Sequence, residues 1–145
     1  MIETRARGFS SKRTAELAGI SYRQLDYWSR IGIVTPSLAD ADGSGSRRRW
    51  SLDDLRLLAA LAEIVQLGPQ IGQLGPIVEE LTLLQSWGGH LFVSRRGLIG
   101  RSLDVLDGDR VGMVIDLGAL MRGIAEKLTE EETAALPRLE RGGRP

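Results

Sequence analysis

The chain has 145 residues, enough for one respectable core or two small ones, and 42% of them are hydrophobic. It contains no cysteine, which removes disulfides, thiolate chemistry and cysteine-ligated metals together. The formal net charge of zero is unevenly spread: residues 1–50 carry nine Lys/Arg against five Asp/Glu and the remainder ten against fourteen, so only the first third offers a polyanion a positive field.

Lys12 to Ala18 holds good helix formers, and Gly19 can take the positive φ of a C-terminal cap. Ser21, with Gln24 three residues on, reads as a capping box that opens a second helix. On a 3.6-residue wheel Leu25 and Trp28 share an inward face, while Arg23, Asp26, Tyr27 and Arg30, at i, i+3, i+4 and i+7, share the outward one. A helix so furnished suits the DNA major groove, where arginine donates a bidentate pair to guanine O6 and N7. On its own the same stripe would read as ordinary solvated surface. The adjoining residues reverse that balance.

Thr35-Pro36 ends the helical segment, and Ala39 to Ser46, ADADGSGS, has too little apolar content to pack and is expected to be a mobile hairpin tip. Arg47, Arg48 and Arg49 then return as a strand, with Arg48 and Trp50 on one face and Arg47 and Arg49 on the other. However the hairpin is rolled, an arginine points at the phosphate backbone and fixes register without reading sequence. Trp50 is expected to anchor this hairpin on the helices rather than touch DNA. The order is a helix-turn-helix with a wing. Its candidate DNA contacts are Lys12, Arg13, Ser21, Tyr22, Arg23, Asp26, Tyr27, Arg30, Arg47, Arg48 and Arg49.

After the wing, Ser51-Leu-Asp-Asp54 is a second capping box, and Leu52, Leu55, Ala59, Ala62 and Val65 keep helical spacing until Gly68-Pro69. Ile71, Leu74, Val78 and Leu81 fit a further helix in which Gly75-Pro76 predicts a kink or a restart. Thr82 to Trp87 and His90 to Ser94 flank Gly88-Gly89 as an expected hairpin. Arg95 to Leu106 is expected to be a helix, Gly108-Asp109 a turn, Val111 to Leu117 a buried strand and Ala119 to Leu128 a helix, with a frayed tail from Thr129. The expected fold is therefore α+β: a winged helix-turn-helix with a following helix pair over residues 1–81, a small ββαβα domain over 82–128 for dimerisation or effector binding, and a flexible tail over 129–145.

The segment from Phe9 to Leu81 resembles the DNA-binding domain of the MerR family of transcription regulators, which has a two-helix reader, an arginine wing and a further helix pair in this order. The string GISYRQLDYW is most similar to an actinobacterial branch whose members regulate cell-division and growth genes and carry a small α/β C-terminal domain. The resemblance implies DNA contacts at Tyr22, Arg23 and Tyr27, and a phosphate contact at Arg48. Many family members carry arginine where this chain has Asp26. The carboxylate there either accepts from cytosine N4 or holds Arg30 through an i, i+4 pair.

An enzyme reading finds little support. His90, the only histidine, would need Ser86 or Ser94 and Asp104 to converge on it, and Gly43-Ser-Gly45 lacks the third glycine and the preceding strand of a dinucleotide fingerprint. No cofactor or metal is expected. Trp87, Phe92 and Met113 are expected in the core rather than around a ligand. The chain has no run of about 18 apolar residues and no basic N-terminal region leading into an apolar stretch, so neither a membrane span nor a signal peptide is expected.

The expected function is a cytoplasmic, nucleoid-associated regulator that binds a palindromic promoter element in double-stranded DNA as a homodimer and distorts it. RNA polymerase is a further candidate partner, and any effector is unknown. The dimer surface is expected around Leu91 and Phe92 or on the Ala119–Leu128 helix. The alternative is an accessory DNA binder of excisionase or antitoxin type.

Overall fold

The computed structural model describes residues 8–38, 48–68 and 73–140. The expected hairpin tip, Arg47 and the stretch around Ile71 lie outside the described residues. Helix α1 spans Ser11–Ala18: Ser10 accepts the Arg13 N–H at 3.1 Å, and Gly19, at φ 81°, turns the chain out of the helix while its N–H bonds back to Ala15. Helix α2, Tyr22–Arg30, starts shortly beyond Gly19, with the Ser21 hydroxyl accepting the Gln24 N–H at 3.0 Å. Only a glycine takes that left-handed turn without strain, so Gly19 sets the angle between the two helices.

Helix α3, Leu52–Ile64, opens on a complete capping box between Ser51 and Asp54. It runs through a 3-10 turn, Val65–Leu67, to Gly68 at φ 91°. Helix α4, Leu74–Thr82, has Gly75-Pro76 in its first turn. The proline's missing N–H costs nothing at that position.

The region after α4 departs from the expected boundaries. Thr82 closes α4, and residues 83–89 form no strand. A side chain clamps this stretch: the Arg101 guanidinium donates to the carbonyls of Ser86 at 2.5 Å and Gly88 at 2.9 Å and, just beyond it, of His90 at 3.2 Å. The hairpin lies one element later, β1 His90–Ser94 against β2 Ile99–Gly100. The expected Arg95–Leu106 helix is absent because Gly97, at φ 89°, turns the chain and the Ser94 hydroxyl takes the Leu98 N–H. A 3-10 turn, Leu103–Leu106, is all that forms of it.

Strand β3, Gly112–Asp116, returns antiparallel to β1, giving the order β2-β1-β3. The order here is therefore strand, strand, 3-10 turn, strand, helix: the α+β class stands, but the expected strand over 82–87 and the expected helix over 95–106 do not form. β3 is not the buried strand expected: it lies at the sheet edge and only Ile115 is buried. Helix α5, Leu117–Lys127, follows directly. Helix α6, Glu130–Glu140, replaces the expected frayed tail, since Thr129 and Glu132 form a reciprocal capping box at 2.9 and 3.0 Å.

The buried apolar side chains form one cluster running from Phe9, Leu17, Leu25 and Trp28 through Leu55, Leu58 and Leu61 to Leu91, Leu117 and Ile124. The sheet and α5 thus share a core with the reader helices. Leu91, expected on a dimer surface, is fully buried in that core.

Candidate nucleic-acid interface

Helix α2 divides as its wheel predicts. Leu25 and Trp28 have no exposed surface, whereas Tyr22 is 43% and Tyr27 47% exposed, and Arg23 and Arg30 lie open to solvent. Large apolar rings and guanidiniums kept out of a well-formed core have no packing reason to be there. The face carries two phenols and two cations within three turns, dimensions that match a major groove. Lys12 and Ser21 are also exposed beside it.

Asp26 is the hub of this face. Its Oδ2 accepts from Arg30 Nε at 2.7 Å and its Oδ1 from Arg48 Nη1 at 2.9 Å. The first bond is the i, i+4 pair expected from the sequence. The second was not legible: it spans the turn after α2 and ties the wing to the reader. The Arg30 hydrogen bond, and after it that of Arg48, hold the Asp26 carboxyl below the ordinary aspartate range. The Arg48 side chain is only 11% exposed. It therefore faces the protein more than solvent; Arg49, the wing's other described arginine, is half-buried.

The wing returns to the body through Trp50. Its backbone pairs with Phe9 in both directions, at 2.8 and 3.0 Å, and its indole N–H donates to the Ser11 hydroxyl at 3.0 Å in the protein interior. Among the described residues of the expected strand, the Arg49 carbonyl also accepts the Leu38 N–H at 3.2 Å. Trp50 is the anchor foreseen for it. The outgoing arm of the wing is held by Asp54, which accepts from the Ser37 N–H at 2.8 Å and the Ser37 hydroxyl at 2.9 Å as well as capping α3. Burial pushes the Asp54 carboxyl up, while those bonds pull it back toward the charged form.

Arg13 points away from a DNA role. Its guanidinium is engaged by Glu132, Glu16 and the Lys127 carbonyl, and Glu132 chiefly, then Glu16, raises its pKa. Sequence reasoning missed Glu132, although Thr129-Glu-Glu-Glu132 is itself a capping-box string that would have flagged a helix start. Ser37 carried no signal, because its partner lies 17 residues away.

The other sequence candidates scatter. His90 lies 4.0 Å from Asp116, while the Ser94 hydroxyl is buried on the Leu98 N–H, so no triad assembles from them. Phe92 pairs with Val114 and Met113 with Val93, on opposite faces of the sheet, so these two line no common cleft with Trp87. Trp87 instead borders a cleft of about 670 Å³ with Val34, Leu58 and Leu81. Among the described residues no group of three His, Asp or Glu side chains could hold a metal ion, and no helix is long and apolar enough to cross a membrane.

A capped two-helix reader, an arginine-bearing wing bridged back to it and a helix pair beneath define a winged helix-turn-helix, the DNA-binding module of a transcription regulator. The pattern described as MerR HTH family regulatory protein matches residues 9–81, half of the chain, and the chain belongs to that family. It is similar to uncharacterized HTH-type transcriptional regulators of Mycobacterium bovis and Mycobacterium tuberculosis, at 36% identity over 74 residues. That stretch is 51% of this chain and 33% of each relative, so the likeness covers about a third of the relatives' length.

Proposed function

We propose that this chain regulates transcription by binding a palindromic promoter element as a homodimer and distorting it, with α2 in the major groove and the wing on the backbone. The observation that carries the reading is the divided face of α2: Tyr22, Arg23, Tyr27 and Arg30 held outward by a fully buried Leu25 and Trp28. Arg23 and Tyr22 lie in its first turn, where a recognition helix meets base edges. Arg49 and, beyond the described residues, Arg47 supply backbone charge. The net charge of +4 over residues 1–50 is modest for one copy, and two half-sites would multiply it at cellular salt.

The protein would act in the cytoplasm at the nucleoid, with RNA polymerase as a further partner. Selection from a randomised duplex pool tests the reading. A two-fold symmetric motif with half-sites about one helical turn or a multiple apart is expected, and recovery of no motif at all would overturn it.

A further inference from the structure

We propose that β3 is the seam of the homodimer: two copies of residues 110–116, which are β3 and the two residues before it, pair antiparallel about a two-fold axis at Met113 and extend the sheet from three strands to six. The proposal rests on the reading of this chain as a dimeric DNA binder, and it replaces the surface around Leu91, which the protein's own core has consumed.

Three observations carry it. First, β3 is an edge strand, and on the side away from β1 its backbone has no backbone partner among the described residues. Natural sheets blunt such edges with lysine, proline, a bulge or a very short strand. The opposite edge, β2, has two residues, whereas β3 has five, runs without lysine or proline and keeps an unbroken register with β1. Second, the edge is apolar where a soluble edge is usually polar: Val111 is 57% and Val114 56% exposed.

Third, the sequence is complementary to itself. Antiparallel pairing centred on Met113 sets Gly112 opposite the partner's Val114, and Arg110 opposite the partner's Asp116, each twice across the axis. Arg110 and Asp116 are both exposed in the single chain; Asp116 Oδ1 already accepts the Ala119 N–H as the N-cap of α5, which leaves Oδ2, 4.0 Å from His90, to meet Arg110. Moving the centre one residue to Val114 would place Arg110 opposite the partner's Gly118 and lose both charge pairs. The occupant that fits is therefore a second copy of the same strand rather than an unrelated peptide.

The absence of cysteine makes the register directly readable in the full chain. Met113→Cys places the only thiol opposite its own copy, where Cβ atoms lie about 5 Å apart, within disulfide reach; Val114→Cys faces its copy only diagonally, at about 7–8 Å. Under mild oxidation Met113→Cys should give a covalent dimer at least tenfold faster than Val114→Cys. Val114→Lys, whose side chain starts exposed, should be monomeric by light scattering where the unsubstituted chain is dimeric, with a little-changed melting temperature.

The proposal is overturned if the unsubstituted chain is monomeric at high micromolar concentration, if Val114→Lys dimerises as well as it does, or if both cysteine variants cross-link equally. Should Met113→Cys fold poorly, Val114→Lys decides alone. None of these readouts uses DNA. A Val114→Lys monomer that still selects a half-site would leave the DNA-reading function standing whatever becomes of the seam.

Discussion

Arg13 in α1 and Glu132 in α6, 119 positions apart, are joined by two hydrogen bonds of 2.8 and 2.9 Å. The same guanidinium donates to the Lys127 carbonyl at 2.7 Å, so one side chain of the reader collects the junction between the last two helices. A bidentate pair of this kind is both stronger and more directional than a lysine would give. The reader's first helix is thus clasped by the far end of the chain.

That clasp has a pH signature. The Arg13 hydrogen bond holds the Glu132 carboxyl below the ordinary glutamate range, so the folded state favours the ionised form. Its contribution is full above the unfolded glutamate pKa and is lost as pH falls through the lowered folded value. Both side chains are less than a third exposed, and Glu132→Gln should cost about 1 kcal/mol at pH 7. Thermal melts should show the gap between the variant and the parent narrowing below about pH 4. A gap that stayed constant down to about pH 3 would contradict the assignment.

Arg23 lies open in the first turn of α2 with no packing duty. Arg23→Ala should therefore cost about 1–3 kcal/mol of DNA affinity and relax preference at one base pair. Arg49→Ala should instead weaken all sequences alike and reduce the salt slope by about one. Binding to the selected motif and its single-base variants across a salt series separates the two. Equal loss of specificity in both would refute the division between reading and clamping.

Asp26→Asn keeps a side chain of the same shape but removes the charge that binds Arg30 and Arg48. The expected outcome is a uniform, modest loss of affinity with an unchanged preferred sequence, because the wing and Arg30 loosen while Tyr22, Arg23 and Tyr27 are untouched. Arg48→Met should behave the same way and shift the salt slope by well under one. A new preferred base in Asp26→Asn would instead make the carboxylate a direct reader of cytosine.

Gly112 sits where β3 passes closest to its neighbours. A Cβ there would lie 2.5 Å from Leu106 Cδ2 and 2.7 Å from the Val93 carbonyl oxygen, and the second of these is backbone that cannot swing aside. Gly112→Ala should lower stability by about 1–3 kcal/mol, readable as a reduced melting temperature. An unchanged melting temperature would mean that the sheet and the 3-10 turn over it separate freely.

The described helices within residues 9–81 were legible because each carries its own local punctuation. Gly19, Ser21, the Ser51–Asp54 box, Gly68 and Pro76 mark starts and stops within a few residues of the atoms they bond. Past Leu81 that local rule fails. The 83–89 segment is organised by Arg101, whose hydrogen bonds reach back 11 to 15 positions, and no window of alternating residues reveals such a clamp. The same holds inside the site. Its outward stripe follows from helical period, whereas the Asp26–Arg48 bond depends on how a turn folds back across 22 residues, which neither period nor propensity encodes.

The bond between Asp26 and Arg48 also limits how this protein can be rebuilt. Transplanting the recognition helix of another regulator, with a different side chain at position 26, would leave Arg48 partly buried against a mismatched neighbour. The new helix would then be presented on a displaced wing, even with every base-facing residue copied correctly. A workable exchange moves positions 26 and 48 together, which makes the heritable unit of specificity here a helix and its wing rather than a helix alone.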